Sequence, residues 1–209
     1  MQKLLKGITE FRRTRREDYA ETFARLALEQ SPDALLVACS DSRVVPNLFA
    51  STEPGDLFVV RNVGNLVPPA GPDGRSTSDE SEAAAIEFAL LTLKVSDIIV
   101  CGHSECGAMR AITAGATPPG APHLADWLRH GQPALHKLRS GATLSPELPP
   151  HDRLSQLNVL QQLEHLRTYP LVAAAARESR VSLHAWWFDI ARADVLAFEP
   201  REGRFMLLQ

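Results

Sequence analysis

Cys39, His103 and Cys106 are the residues best suited to hold a soft metal ion. His103 and Cys106 lie in Ile98-Ile99-Val100-Cys101-Gly102-His103-Ser104-Glu105-Cys106-Gly107-Ala108, which reads as a buried strand, a turn and the start of a helix. Cys39 closes a segment of the same form, Leu35-Leu36-Val37-Ala38-Cys39-Ser40-Asp41-Ser42-Arg43. Two thiolates and an imidazole leave a fourth position open, an arrangement used for catalytic zinc, and thiolates select zinc over magnesium or calcium. Taken singly, each residue has a blander account. Free Cys is among the most buried residue types, a lone His-x2-Cys arises often by chance, and His103 could be a core histidine. Open parallel sheets, however, bind ligands outside the carboxyl ends of their strands. Cys39, Arg61 and His103 are all predicted to follow such an end. That convergence favours zinc.

Asp41 and Arg43 flank Cys39. A carboxylate beside a metal can ligate it, or accept a hydrogen bond from water bound to it, and Arg43 can hold Asp41 bidentately and keep it ionised. A structural salt bridge in a turn fits the pair equally well when it is taken alone. His103-Ser104-Glu105 matches the His-x-Glu of zinc deaminases, but their Pro-Cys-x-x-Cys partner is missing from the chain. Cys101 falls within the strand and is expected in the core. The other histidines (123, 130, 136, 151, 165 and 184) lack ligand spacing and are expected at the surface or in packing.

Apolar runs alternating with helical patterns predict one α/β domain over residues 1–209, with a mostly parallel central sheet flanked by helices. Residues 3–30 are expected to be helical, with residues 1–32 forming an N-terminal arm. The predicted strands are 34–38, 57–60, 97–101 and 181–188, with a C-terminal hairpin over 194–198 and 204–208. Asp79 and Glu82 suggest a capping box opening a helix to about Leu93, apolar nearly all round and therefore expected to be well buried. Helices are also expected from Glu105 to Gly115, over 123–139 with a break at Gly131 and Pro133, from Asp152 to about Arg167, and from Pro170.

The chain has 209 residues and a formal net charge of −3. No basic stripe interleaved with aromatics suggests nucleic acid, and Arg12-Arg13-Thr14-Arg15-Arg16 reads as a solvated face or a helix junction rather than an anion site. No apolar run approaches the roughly 20 residues of a membrane span, and the N-terminus lacks the apolar core of a signal peptide. Three Cys, an odd count, argue against a disulfide framework and for a reducing, cytoplasmic setting.

The motifs Cys39-Ser40-Asp41-Ser42-Arg43, Arg61-Asn62-Val63-Gly64-Asn65 and Gly102-His103-Ser104-Glu105-Cys106-Gly107 together resemble those of the β-class carbonic anhydrases, strongly over about 33–115 and more weakly to the C-terminus. The resemblance implies reversible hydration of carbon dioxide to bicarbonate and a proton, one zinc per chain on Cys39, His103 and Cys106, and a catalytic dyad of Asp41 and Arg43. It makes Asp41 a conditional zinc ligand, since in some members the matching Asp closes the fourth position. Zinc lowers the pKa of bound water and makes hydroxide near neutral pH, which the dyad would orient. The resemblance also implies a homodimer or higher homo-oligomer, with the N-terminal helices wrapping the partner. Two departures stand out. Members with an inhibitory bicarbonate site carry Trp and Tyr where this chain has Leu36 and Phe188, so no such site is expected. Glu53 stands where plant-type members carry a substrate-contacting Gln. Carbon disulfide or carbonyl sulfide as substrate, or a non-enzymatic bicarbonate sensor, are the competing readings. The intact Asp41–Arg43 pair argues against the sensor.

Overall fold

The computed structural model describes residues 1–208. Two helices, α1 (Gln2–Thr14) and α2 (Ala20–Leu26), precede strand β1 (Ala34–Cys39), the short α3 (Pro46–Phe49) and β2 (Leu57–Asn62). Then follow α4 (Ser81–Glu87), which continues as a π-helical turn over Phe88–Leu93, β3 (Asp97–His103), α5 (Gly107–Ala114), α6 (Pro122–Leu128), α7 (Gln132–Arg139), α8 (Pro150–Thr168) and α9 (Pro170–Arg177). Strands β4 (Ser182–Asp189), β5 (Asp194–Glu199) and β6 (Arg204–Leu207) complete the chain.

The six strands form one sheet in the order β2-β1-β3-β4-β5-β6. The β1–β2, β1–β3 and β3–β4 pairs are parallel, and the terminal hairpin adds the antiparallel β5 and β6. The predicted α/β fold and C-terminal hairpin are therefore present. Chain order reverses between β1 and β3, and such a switch point opens a crevice beyond the strand ends. Ala38 pairs with Cys101, so Cys39 lies level with Gly102 and beside His103.

The unalternated apolar sequence of β1 follows from burial on both faces. Leu35 and Val37 join Ile98, Val100 and Trp187 in a core closed by Val159, Leu163 and Leu166 of α8 and Val172 of α9. Leu36 and Ala38 face the other way, with Ile99, Cys101, Phe188 and Val44. Cys101 is fully buried, as expected, and burial pushes its thiol up to about 12.

The helical arm is two helices joined over residues 15–19, beside the basic run, and neither α1 nor α2 buries a residue. Several other expectations need correction. Cys39, Arg61 and His103 lie inside β1, β2 and β3 rather than beyond them, because ladder pairing extends further than the apolar runs. The Asp79–Glu82 capping box does not form: Asp79 accepts the Ser81 N–H at 2.7 Å. Glu82 turns inward and accepts from Asn62 Nδ2 at 3.0 Å. The helix beyond is not buried all round. It packs against edge strand β2 through Phe58 and Phe88, and its change to π winding breaks the 3.6-residue stripe, leaving Phe88 and Leu91 exposed.

Close approach of α8 to the sheet requires a glycine. A Cβ at Gly102 would stand 2.6 Å from Val159 Cγ2 and 3.2 Å from Ser155 Oγ. Gly102→Ala is expected to destabilise the protein by about 1–3 kcal/mol, measured by urea unfolding. Val159→Ala should cost less in that background than alone. Equal costs in both would show that the contact does not limit packing.

Candidate metal centre

Cys39 ends β1, His103 ends β3, and Cys106 is the N-cap residue of α5, so a strand end, its neighbour's end and a helix start meet at the switch point. One ligand atom from each of the three lies within 4.8 Å of the others, and all three residues are buried. Asp41 stands outside this group.

The donor atoms fit a metal. His103 Nδ1 lies 2.8 Å from the Ser104 carbonyl, so Nδ1 carries the proton and donates it there. That leaves Nε2 as a bare lone pair, and Nε2 is buried without a hydrogen-bond partner. A buried polar atom without a partner is costly, and an imidazole oriented by its other nitrogen is typical of a metal ligand. Cys39 Sγ accepts the Gly64 N–H at 3.4 Å. A hydrogen bond from Cys106, above all, brings the Cys39 thiol down to about 4 against the opposing effect of burial. Cys106 is pushed up by that same contact and by burial, while the Ala108 and Met109 amides of α5 pull it the other way. Of the two sulfurs Cys39 is the more acidic, and a cation between them would favour the thiolate form of both.

Asp41 and Arg43 form a closed fork. Arg43 Nε donates to Asp41 Oδ1 at 2.9 Å, Nη2 to Oδ2 at 2.7 Å, and the Arg43 amide to Oδ1 at 3.0 Å. The Arg43 side chain holds the Asp41 carboxyl well below the usual carboxylate range. Arg43 Nη2 also donates to the Glu105 carbonyl at 3.1 Å, joining the dyad to the turn that carries His103 and Cys106. Arg61 is spent on the main chain. Its guanidinium donates to the carbonyls of Cys39 (2.9 Å), Asp41 (2.8 Å) and Val44 (2.7 Å) and fixes the turn after β1. Glu53 is exposed in the turn before β2, where its amide donates to Asp56 Oδ2 at 2.8 Å.

A cavity of about 420 Å³ opens at Cys39 and Asp41, with walls that include Val63, Ala108, Ala111, Leu124 and Leu128. Besides the Asp41 carboxylate and the Cys39 sulfur its lining carries no ionisable side chain, which suits a small, weakly polar substrate. Gly64, at φ 86°, lets the Val63 loop close on α5: a Cβ there would meet Ala108 Cβ at 2.9 Å.

The chain matches the carbonic anhydrase family model over residues 34–195. It is 41% identical to a carbonic anhydrase of Pseudomonas aeruginosa across 100% of this chain and 92% of that protein. It is 39% identical to carbonic anhydrase 1 of Escherichia coli O157:H7, with the same coverage. The solved β-carbonic anhydrase CcaA superposes with a TM-score of 0.91 at 35% identity, covering 100% of this chain and 92% of that one. The chain belongs to the β-carbonic anhydrases. Its chemistry is therefore the zinc-dependent, reversible hydration of carbon dioxide to bicarbonate and a proton, and the Cys-His-Cys group fits a zinc site. One of two tetrameric β-carbonic anhydrases from Sordaria macrospora superposes with a TM-score of 0.78 at 28% identity, covering 99% of this chain and 95% of that one.

The support under this centre was not foreseen from the leucine pattern of α8. Asp152, Ser155, Asn158, Gln162 and His165 form a polar stripe on that helix, all buried. Asp152 Oδ1 accepts the Glu105 N–H at 2.6 Å, and Ser155 Oγ donates to the His103 carbonyl at 2.8 Å. Asn158 Nδ2 donates to the Gly64 carbonyl at 3.2 Å, and Gln162 Oε1 accepts the Val67 N–H at 2.8 Å. Burial keeps His165 neutral by lowering its pKa, and its Nδ1 donates to the Val67 carbonyl at 2.8 Å. The signal lay in the sequence: polar residues three or four apart on a helix that also carries leucines.

Gln162→Leu keeps the approximate size of the side chain but strands the Val67 amide and Asn158 Oδ1. Stability should fall by at least about 2 kcal/mol in urea unfolding. A loss below about 1 kcal/mol would mean that the stripe does not hold the loop.

Proposed function

We propose that Cys39, His103 and Cys106 hold one zinc ion per chain and that Asp41 and Arg43 act as the catalytic dyad of a carbonic anhydrase occupying the whole chain as one domain. The observation that carries this is the convergence of three buried donors within 4.8 Å, one of them the unpartnered His103 Nε2. Zinc bound there would polarise water and supply a nucleophile near neutral pH.

The residues of the chain supply the rest. Arg43 fills both lone-pair positions of Asp41 Oδ1 with its amide and Nε. On Oδ2 it fills one, through Nη2. One acceptor position is left on Oδ2. That oxygen would accept a hydrogen bond from the O–H of the nucleophile, which keeps its hydrogen, and so fix the direction of the attacking lone pair. Because Arg43 keeps Asp41 ionised, Oδ2 selects a species with a proton to donate. The Val63, Ala111 and Leu124 walls orient a small linear substrate by shape alone. Asp41→Ala should keep about one zinc per chain and lose at least about a hundredfold in kcat by stopped-flow hydration. Cys106→Ser should lose the zinc itself, read by metal analysis. Full turnover in Asp41→Ala would refute the dyad, and a zinc-free wild-type protein would refute the centre.

The chain would not be inhibited cooperatively by bicarbonate. Arg61 is engaged with three carbonyls, and the space by fully buried Leu36 is filled, with Phe188 stacked on Phe49 at a ring separation of 4.7 Å. Hydration measured against added bicarbonate should follow simple competition, with a Hill coefficient of about one. A sigmoidal response would show that a second site exists.

A homodimer or larger homo-oligomer is the assembly this reading favours. Leu4, Leu5, Ile8 and Phe11 make an apolar stripe along α1 that is exposed in the single chain, and two related solved enzymes are described as tetrameric. Three free thiols suit a reducing cytoplasm. Among the described residues no helix is long and apolar enough to cross a membrane.

A further inference from the structure

We propose that Asp152 is a positioning residue for the catalytic dyad, acting through the Glu105 peptide. This rests on the assignment of Asp41 and Arg43 made above. Arg43 is half exposed. Arg61 ties the Asp41 main chain to Cys39, but the hydrogen bonds between Arg43 and Asp41 do not place the pair relative to the turn that bears His103 and Cys106. The link to the turn bearing His103 and Cys106 is the bond from Arg43 Nη2 to the Glu105 carbonyl.

Glu105 is an unusual residue on which to hang that link. Its φ of 58° lies in the left-handed region, which a side chain with a Cβ adopts only when its surroundings impose it. The imposing group is Asp152. It is 4% exposed, in the first turn of α8, and its Oδ1 takes the Glu105 N–H at 2.6 Å. The two peptide bonds flanking the Glu105 Cα are thus held from opposite sides, the carbonyl by Arg43 and the amide by Asp152.

The Glu105 side chain is pinned as well. Its carboxylate pairs with Arg110 and stands 3.4 Å from His151 Nε2, which is also 3.6 Å from Asp152 Oδ1. Glu105, His151 and Asp152 could by type and distance hold a second cation, but the Arg110 guanidinium already supplies positive charge there. The cluster is better explained as a clamp. Without it the Glu105 peptide relaxes out of the left-handed region, its carbonyl leaves Arg43, and the Asp41 carboxylate loses its aim.

The test uses full-length, zinc-loaded protein. Asp152→Asn keeps an Oδ1 acceptor, whereas Asp152→Ala removes it. Asp152→Ala should keep its zinc and lower kcat by about tenfold or more, the scale of lost outer-shell partners. Asp152→Asn should stay within about threefold of wild type. Amide hydrogen exchange across 103–107 should quicken in the Ala variant and stay slow in the Asn variant. Arg110→Ala, at a half-exposed position that does not endanger the fold, should lower kcat severalfold with zinc retained, and keeps the inference testable if Asp152→Ala does not fold. The inference is overturned if Asp152→Ala hydrates carbon dioxide at the wild-type rate, if the Asn variant is equally impaired, if zinc is lost in step with activity, or if Arg110→Ala matches wild type. An inactive wild-type protein would instead overturn the assignment of the dyad.

Discussion

Three donor atoms that would repel or strand one another in an empty interior are forced together at the end of the sheet. Cys39 and Cys106 bring their sulfurs together, Cys39 the more acidic of the two, and His103 presents a buried lone pair beside them. Ordinary packing would relieve such a cluster by rotating a side chain towards water or a partner. Here rotation is blocked. The imidazole is held at Nδ1 by the Ser104 carbonyl, and Cys39 Sγ is held by the Gly64 amide. Positive charge among the donors would satisfy the unpartnered imidazole nitrogen and favour both thiolates.

The sheet sets the coarse position and α8 the fine one. Reversal of strand order between β1 and β3 places Cys39 beside His103 with no need for long loops. The polar stripe of α8 then fixes the segments that extend from those strands: the turn after β3 through Glu105 and His103, and the loop after β2 through Gly64 and Val67. The bonds at His103, Gly64 and Val67 are buried and the one at Glu105 is partly so, and in low dielectric an unmade bond is costly. Arg61 does the same for the turn after β1 with three carbonyls. The centre is held from three sides by side chains that do not themselves face the cavity.

How far this was legible in the sequence depends on which kind of signal carried it. Buried parallel strands have continuous apolar runs, so β1, β3 and β4 could be located, and the thiols and imidazole at their ends followed. The ends themselves were misjudged by a residue or two, since Arg61, Asn62 and His103 pair in ladders although they are polar. The Asp79–Glu82 spacing suggested a cap, but a local Asx turn at Asp79 and the pull of Asn62 on Glu82 won. The helix after it looked buried because a π turn is invisible to a 3.6-residue template. The stripe on α8 escaped because leucines define a helix face clearly, whereas polar residues between them look like solvent contacts until the helix proves to be buried on that side too.

The hold that α8 exerts falls mainly on amides and carbonyls of the loops, His151 beside the Glu105 carboxylate being the exception. Gly64, Val67, His103 and Glu105 are all gripped through main-chain atoms. Val63, whose side chain lines the cavity and is 43% exposed, is likewise fastened through its carbonyl, by Trp127 Nε1 at 2.8 Å. Registration of the loops and identity of the wall are therefore separate properties. A change of side chain at 63 would alter the shape or polarity of the wall while leaving the main-chain bonds around the donors in place.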